Sequence, residues 1–309
     1  MLRPVSRSLP PTVTIREVGP RDGLQSETPL PVEGRARLLD AVSSTGVPKV
    51  EAVSFVSPAA VPAMADAAAV WSMATRHPGV RYSALVPNRR GAEAALAAGG
   101  FSSLQAFLAA SDGYNVKNVG KPVHESIPDV ASVVEVAAGA GVPVECSISA
   151  AFGDPFDGDV EPERVLEVAR RVADAGVVGV SLGDTTGMAT PTRVWDVVDL
   201  FRSRLPELRL NLHFHDTRGT AMANVLAALQ AGVDEFDASV AGLGGSPFAP
   251  GVGGNVPTED LVHMLADMGV ETGVHLDRVL DAVRLVEELV GHPARSRVST
   301  AGPRWRAQQ

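Results

Sequence analysis

The chain has 309 residues, a formal net charge of −9 and one cysteine, Cys146. The acidic balance argues against a nucleic-acid partner, and a single cysteine excludes an internal disulfide and fits a reducing compartment. No apolar run is long enough to cross a bilayer, and the first eleven residues lack the apolar segment of a secretory signal. We therefore expect a cytoplasmic protein with no membrane or nucleic-acid partner.

Strand-like runs alternate with helical stretches along most of the chain. The predicted strands are 12–18, 49–55, 81–86, 103–109, 142–149, 177–182, 209–215 and 235–240. The predicted helices are 32–45, 59–76, 89–98, 124–140, 162–175, 191–205, 218–231 and 257–268. Glycines punctuate this pattern as helix C-caps commonly do, at Gly46, Gly99, Gly141, Gly176, Gly232 and Gly269.

Eight strand–helix units in about 260 residues predict a single (β/α)8 TIM barrel of the α/β class. A doubly wound open sheet is the alternative, but no predicted strand is followed by a GxGxxG dinucleotide motif. Residues 275–291 predict an extra helix after the barrel. We expect a disordered tail over 1–11, a catalytic barrel with its C-terminal helix over 12–291, and a flexible tail over 292–309.

Polar residues follow several of the predicted strands, at the end where TIM barrels carry their chemistry. Asp22 follows the first strand, Ser54 ends the second and Asp184 follows the sixth. His213 and His215 end the seventh strand, and a glycine-rich loop that ends at Asn255 follows the eighth. The barrel prediction therefore brings these residues to one rim.

The two histidines carry the strongest chemical signal. Residues i and i+2 of a strand point to the same side of the sheet, so His213 and His215 should face the same space. An acidic side chain from another strand end would complete a divalent metal site with them. The ligand types alone allow Mg²⁺, Mn²⁺, Zn²⁺, Fe²⁺ or Co²⁺.

Several segments together resemble the 3-hydroxy-3-methylglutaryl-CoA lyase family. The resemblance covers about residues 12–290 and follows the family order of motifs. The matching segments are EVGPRDGLQ at 17–25, SFVSP at 54–58, SLGDT at 181–185, HFHDT at 213–217, AGLGGSPF at 241–248, GN at 254–255 and TEDL at 258–261.

The resemblance implies a metal-dependent aldol-type cleavage of a 3-hydroxy-3-carboxyalkyl-CoA. The default substrate is 3-hydroxy-3-methylglutaryl-CoA, which gives acetyl-CoA and acetoacetate in leucine and ketone metabolism. Mg²⁺ or Mn²⁺ is the cofactor that the resemblance favours. Carried over by position, the expected metal ligands are Asp22, His213, His215 and Asn255.

The remaining expected roles also come from the resemblance. The acceptor for the substrate's hydroxyl proton stays open between Asp22, His213 and a metal-bound water. The expected catalytic residues are Arg21, Glu51, His213 and Ser246, and the expected substrate-binding residues are Arg21, Gln25, Ser54 and Asp184.

The chain departs from the family pattern at three positions. Ser246 stands where the family carries a cysteine that protonates the enolate carbon, and a hydroxyl is a much weaker acid than a thiol. Glu145 and Ser147 stand where an arginine and a tyrosine are more usual. These departures put the acyl group in question more than the reaction class.

Other functions stay open beside the default. They are a lyase for a related thioester such as citramalyl-CoA, a Claisen-type synthase on the same barrel, and a barrel that binds acyl-CoA without turnover. A synthase would typically carry a further C-terminal region, which the sequence does not show after residue 291. The expected partner is the acyl-CoA substrate, and a homodimer stays open.

Overall fold

A computed structural model describes residues 9–246 and 253–304, and within them eight parallel strands close into a barrel. Each strand pairs with the next, and β8 returns to β1 with Arg16 opposite Asp237. The TIM-barrel prediction is therefore confirmed. The strands are β1 Thr14–Glu17, β2 Lys49–Ser54, β3 Arg81–Leu85, β4 Ser103–Ala109, β5 Val144–Ser149, β6 Gly179–Asp184, β7 Arg209–Phe214 and β8 Glu235–Ala238.

Helices follow the strands and cover the outside of the barrel. The predicted extra helix after the barrel is confirmed as α10. The helices are α1 Val32–Ser43, α2 Ala67–Met73, α3 Arg89–Ala98, α4 Asp112–Val119, α5 Val123–Gly139, α6 Pro162–Asp174, α7 Pro191–Arg204, α8 Ala221–Gln230, α9 Thr258–Asp267, α10 Leu276–Val290 and α11 Val298–Ala301.

Two helices differ from the sequence-based expectation. The predicted helix at 59–76 is helical only over α2, because residues 57–66 form turns and a 3₁₀ segment, Pro62–Met64, and Asp66 adopts a left-handed φ of 57°. Helix α4 is not predicted at all. Its first residues, Asp112 and Gly113, are typical of turns, and it is held by tertiary hydrogen bonds such as that from the Tyr114 N–H to the Asp154 side chain.

The barrel strands are buried, as expected of a parallel sheet covered by helices. Every residue of β2 and β6 is buried, and Trp71, Phe201 and Leu38 on the helices complete the outer core. The barrel interior also holds charged groups. Arg16 of β1 is buried and contacts Asp237 of β8 at 2.7 Å.

The segment 292–304, where the sequence predicts a flexible tail, packs onto the barrel. The Val298 N–H donates to Asp260 at 2.7 Å, and Arg295 Nη1 donates to the carbonyl oxygens of Gly244 and Gly253 at 2.9 and 2.7 Å. The expectation therefore does not hold for this segment. Residues 305–309 and residues 1–8 of the predicted N-terminal tail lie outside the described part of the chain.

No helix in the described ranges is both long and apolar enough to cross a membrane.

Candidate active site

A π-helical turn, Gly19–Gly23, follows β1 directly and carries Arg21 and Asp22. The turn lies tightly against the chain that leaves β8. A Cβ atom at Gly19 would come within 2.9 Å of Val240, and one at Gly23 would come within 2.8 Å of the Ser239 hydroxyl. A side chain at either position would therefore displace these buried neighbours, and short π-helical segments of this kind are frequent at functional sites. The turn places Asp22 at the C-terminal mouth of the barrel.

The two histidines lie beside Asp22, as the strand alternation predicts. His213 Nε2 is 2.9 Å from His215 Nε2 and 4.0 Å from Asp22 Oδ2. One ligand atom from each of the three residues lies within 4.8 Å of the others. The structure thus assembles a potential metal-binding triad from two strand ends that are far apart in sequence.

Asn255 completes the group of expected metal ligands. Its Nδ2 donates to Asp22 Oδ2 at 2.7 Å and to the Leu243 carbonyl at 2.9 Å. Its buried Oδ1 has no hydrogen-bond partner among the described residues. A buried, unsatisfied carbonyl oxygen is costly unless a ligand occupies it.

The donor set fits a divalent cation. Only one proton can lie between the facing Nε2 atoms of His213 and His215, whereas a cation can accept a lone pair from each of them. Burial, together with the charge that His213 carries when it is protonated, lowers the pKa of His215 to about 3, so the His215 imidazole is neutral and able to coordinate. Two imidazole nitrogens, a carboxylate and an amide oxygen are common ligands of divalent metals.

Asp237 is a functional residue that the sequence analysis missed. Its Oδ2 lies 3.0 Å from His213 Nδ1, and its carboxylate also accepts from Arg16 at 2.7 and 2.9 Å and from Asn211 at 2.8 Å. Burial alone would raise the pKa of Asp237, but the Arg16 guanidinium and the His213 hydrogen bond hold it well below its usual range. An ionised Asp237 accepts the Nδ1 proton of His213 and leaves the Nε2 lone pair free for a metal.

Replacing Asp237 with asparagine should weaken divalent-metal affinity by roughly 10–100-fold, the usual effect of losing a partner that orients a ligand. The amide no longer fixes the His213 tautomer, since it can donate as well as accept. The affinity for Mn²⁺ is measured by titrating the protein with Mn²⁺ and detecting the unbound ion by electron paramagnetic resonance. The control is Asp174→Asn, which changes the exposed last residue of α6. A circular dichroism melt of each variant verifies that it folds. Equal affinity in both variants would show that Asp237 does not orient His213.

Arg21 bridges two carboxylates at the rim. Nη1 donates to Asp22 Oδ1 at 2.7 Å, and Nη2 donates to Glu51 Oε2 at 2.5 Å. Glu51 is buried in β2 beside a β-bulge between Glu51 and Val53, a device that commonly re-aims side chains near active sites. Burial opposes ionisation of Asp22, but Arg21 and the two histidines lower its pKa. The rim therefore keeps an anionic ligand beside a guanidinium.

The remaining expected substrate-binding residues lie at the same mouth. Gln25 Nε2 donates to Asp22 Oδ1 at 3.3 Å. Ser54 ends β2, and its buried hydroxyl has no partner in the described part of the chain. Asp184 ends β6, where its Oδ1 accepts from two backbone N–H groups at 2.6 and 3.0 Å, and burial raises its pKa to about 6. Asp184 therefore shapes its own turn, and its contact with substrate stays a proposal.

The glycine-rich loop after β8 approaches the metal-binding triad closely. A Cβ atom at Gly244 would lie 2.4 Å from Asn255 Nδ2 and 3.3 Å from Asp22 Oδ2. Ser246, two residues further on, is buried. The stem of this loop thus lies over the expected ligands. Residues 247–252 of this loop lie outside the described residues.

Glu17 is a second buried carboxylate that the sequence analysis did not assign. Its Oε1 accepts from the N–H groups of Gly19 and Val240 at 2.7 and 3.0 Å, and its Oε2 accepts from the Thr258 hydroxyl at 2.6 Å. Burial raises its pKa to about 7. Glu17 therefore joins the π-helical turn, the chain after β8 and the start of α9.

The two other departures from the family pattern lie inside the barrel. Glu145 accepts from Arg16 at 3.2 Å and from Arg209 at 2.8 Å, near the start of the strands. Ser147 accepts from Gln105 at 2.9 Å. We expect these positions to affect the internal polar network. Cys146 is buried, and burial raises its pKa to about 12, which makes it an unreactive thiol.

Comparison with known proteins agrees with this geometry. A hydroxymethylglutaryl-CoA lyase of Bacillus subtilis is 43% identical over 93% of this chain and 96% of its own length. The mitochondrial hydroxymethylglutaryl-CoA lyase of Bos taurus is 43% identical over 97% of this chain and 94% of its own.

Solved structures give the same result. The crystal structure of the Bacillus subtilis HMG-CoA lyase superposes with a TM-score of 0.92 at 42% identity, covering 95% of this chain and 98% of that one. An Acinetobacter baumannii HMG-CoA lyase in complex with coenzyme A and 3-methylmalate gives 0.91 at 37% identity, covering 96% and 97%. The HMGL-like family model matches residues 12–286. The chain therefore belongs to the HMGL-like family of divalent-metal-dependent lyases.

Proposed function

We propose that this protein cleaves 3-hydroxy-3-methylglutaryl-CoA to acetyl-CoA and acetoacetate, a step of leucine and ketone metabolism. The observation that carries the proposal is the assembly of Asp22, His213 and His215 within 4.8 Å of one another, with Arg21 hydrogen-bonded to Asp22 at 2.7 Å. Relatives at 43% identity that are named for this reaction support the choice of substrate.

The reaction breaks the C2–C3 bond of the thioester and leaves its electrons on the acetyl-CoA half as an enolate. We propose that Asp22, His213, His215 and Asn255 hold the divalent cation. A divalent cation held by these residues would lower the pKa of the substrate's tertiary hydroxyl and orient that hydroxyl. Mg²⁺ or Mn²⁺ is the proposed ion. Metal analysis of the purified protein and reconstitution with each ion identify it.

Arg21 is the proposed stabiliser of the enolate oxygen. Its guanidinium is held by Asp22 and Glu51, and its Nε has no hydrogen-bond partner among the described residues. A cationic donor held in place before the reaction costs no reorganisation when charge develops. Glu51 is the proposed group that fixes the orientation of Arg21, while Gln25, Ser54 and Asp184 are proposed to contact the substrate.

The proton of the substrate hydroxyl needs an acceptor at the rim. Asp237 engages His213 through Nδ1, so His213 can accept a proton only at Nε2, the atom that also faces the expected metal. We propose that His213 serves mainly to hold and orient the metal. Asp22 is ionised and lies at the rim, but its lowered pKa makes it a weak base, so the acceptor stays open between Asp22, His213 and a metal-bound water.

The acyl group is tested with a panel of thioesters. A coupled assay for acetyl-CoA release compares 3-hydroxy-3-methylglutaryl-CoA with citramalyl-CoA in the presence of Mg²⁺ or Mn²⁺. The proposal expects the higher kcat/KM for 3-hydroxy-3-methylglutaryl-CoA. A higher value for citramalyl-CoA would reassign the substrate within the same reaction class. No release from any thioester would overturn the proposed function.

Ser246 sets a specific expectation for the rate. Because a hydroxyl is a weaker acid than a thiol, Ser246→Cys should raise kcat on 3-hydroxy-3-methylglutaryl-CoA at least ten-fold, about 1.4 kcal/mol of barrier. The variant is compared with the unmodified protein under saturating substrate. An unchanged or lower kcat would mean that the serine suits another acyl group or that position 246 takes no part in protonation.

Cellular location and oligomeric state are the remaining properties of the protein to be tested. We propose a cytoplasmic location, on the strength of a single cysteine that is buried. Whether the protein forms a homodimer is tested by light scattering coupled to size-exclusion chromatography, which separates a mass near 32 kDa from one twice as large.

A further inference from the structure

Tyr114 lies at the mouth of the barrel and is not among the expected site residues. It is in the first turn of α4, which follows β4, and 4% of it is exposed. The chain contains two tyrosines, and the other, Tyr82, lies in β3 with its hydroxyl accepting from the His77 N–H. Tyr114 is thus the tyrosine at the end of the barrel where the metal-binding triad lies.

The backbone and ring of Tyr114 are fixed by neighbouring strand ends. The Tyr114 N–H donates to Asp154 Oδ2 at 2.9 Å, and the same carboxylate oxygen accepts from the Ser111 hydroxyl. The ring packs in a small apolar cluster with Ala109 and Ala150. Two strand ends and the turn that carries Asp154 therefore hold this side chain in one place.

The hydroxyl of Tyr114 is hydrogen-bonded to the hydroxyl of Ser246. Ser246 belongs to the loop whose Gly244 lies against Asn255 and Asp22, so the pair of hydroxyls adjoins the expected ligands. Burial, together with the charges of Asp22 and Asp154, raises the pKa of Tyr114 to about 12. The phenol is therefore protonated at neutral pH and available as a donor.

We propose that Tyr114 supplies a proton through Ser246 to the enolate carbon formed in the cleavage. The inference rests on the proposed function and extends it. Ser246 is the group that contacts the reacting carbon, and Tyr114 is a positioning and relay residue that acts through it. Without such a relay, a serine hydroxyl would have to give up its proton and remain as an unstabilised alkoxide.

The transfer balances in protons and electrons. The Ser246 O–H bond breaks, and its proton forms the new C–H bond at C2 with the electron pair of the enolate. The Tyr114 O–H bond breaks, and its proton restores the serine hydroxyl. Tyr114 regains a proton from water, while the group that accepted the substrate's hydroxyl proton returns one to water. The net reaction consumes no co-reactant.

The relay is tested by removing the Tyr114 hydroxyl in two backgrounds. Tyr114→Phe alone should lower kcat at least ten-fold with KM changed less than three-fold. In a protein that also carries Ser246→Cys, the same change should lower kcat less than three-fold, because a thiol donates its own proton. Tyr82→Phe, which removes the hydroxyl of the other buried tyrosine, should leave kcat unchanged. Melting temperatures of all variants check the fold.

Each outcome has a defined meaning. An equal loss of kcat in both backgrounds would overturn the relay and show a structural role for Tyr114. If Tyr114→Phe leaves kcat unchanged in the protein that keeps Ser246, the proposed relay is also overturned. Failure of the unmodified protein to cleave 3-hydroxy-3-methylglutaryl-CoA would instead overturn the proposed function. Because that result is read before any variant is compared, the two failures are distinguishable.

Discussion

Replacing His215 with alanine should lower kcat by at least 10³-fold, about 4 kcal/mol of transition-state stabilisation. His215 contributes one of two Nε2 atoms that lie 2.9 Å apart, and the pKa of His215, lowered to about 3, keeps its imidazole able to coordinate. The affinity for the divalent metal should also fall, because His213, Asp22 and Asn255 alone form an incomplete site. The kcat of the variant at saturating Mn²⁺ and its affinity by calorimetry are the two measurements.

His124→Ala is the matched control, since His124 is an exposed histidine on α5. It should retain full activity and metal affinity. A melting temperature for His215→Ala close to that of the unmodified protein separates loss of the metal from loss of the fold. Retention of both metal affinity and turnover in His215→Ala would contradict the assignment of this residue as a ligand.

Replacing Arg21 with methionine should lower kcat by roughly 10²–10³-fold, the usual cost of removing one donor that stabilises a developing oxyanion. Methionine keeps much of the apolar stem but removes the cation that Asp22 and Glu51 hold at 2.7 and 2.5 Å. The effect on KM should be modest, because the interaction strengthens only as charge develops on the substrate. Initial rates over a range of substrate concentrations give both constants.

Two further variants make the Arg21 result specific. Arg21→Lys keeps a positive charge without the guanidinium fork, and it should recover part of the lost kcat. Arg37→Met removes an exposed arginine that pairs with Glu288 on the outside of the barrel, and it should leave kcat unchanged. A rise in KM with kcat intact in Arg21→Met would instead make Arg21 an anchor for the CoA or carboxylate group.

Much of the fold follows from the local pattern of the sequence. The run that contains His213 and His215 predicts both β7 and the shared side of its histidines, because alternation along a strand is a local property. Helix α4 is not predicted because its first turn, with Asp112 and Gly113, favours a loop and its stability comes from distant partners such as Asp154. The helix predicted at 59–76 is shortened by Pro62 and by the left-handed Asp66.

The parts of the site that depend on barrel closure could not be predicted. Asp237 meets Arg16 across 221 residues of sequence, and their pairing exists only because β8 returns to β1 in that register. The available signal was that β1 and β8 each contain two charged residues, which is unusual for strands of a buried parallel sheet. The contact between Arg295 and the Gly244 carbonyl likewise depends on where α10 ends, not on any motif around Arg295.

This barrel is proposed to use a divalent cation to break a carbon–carbon bond of an acyl-CoA. Proton NMR of 3-hydroxy-3-methylglutaryl-CoA incubated with the protein follows both products at once, first in excess chelator and then after Mg²⁺ or Mn²⁺ is added. We predict no cleavage in chelator, and acetyl-CoA and acetoacetate in equal amounts once the cation is restored. Equal rates of product formation with and without chelator, or no cleavage with either cation, would contradict the account.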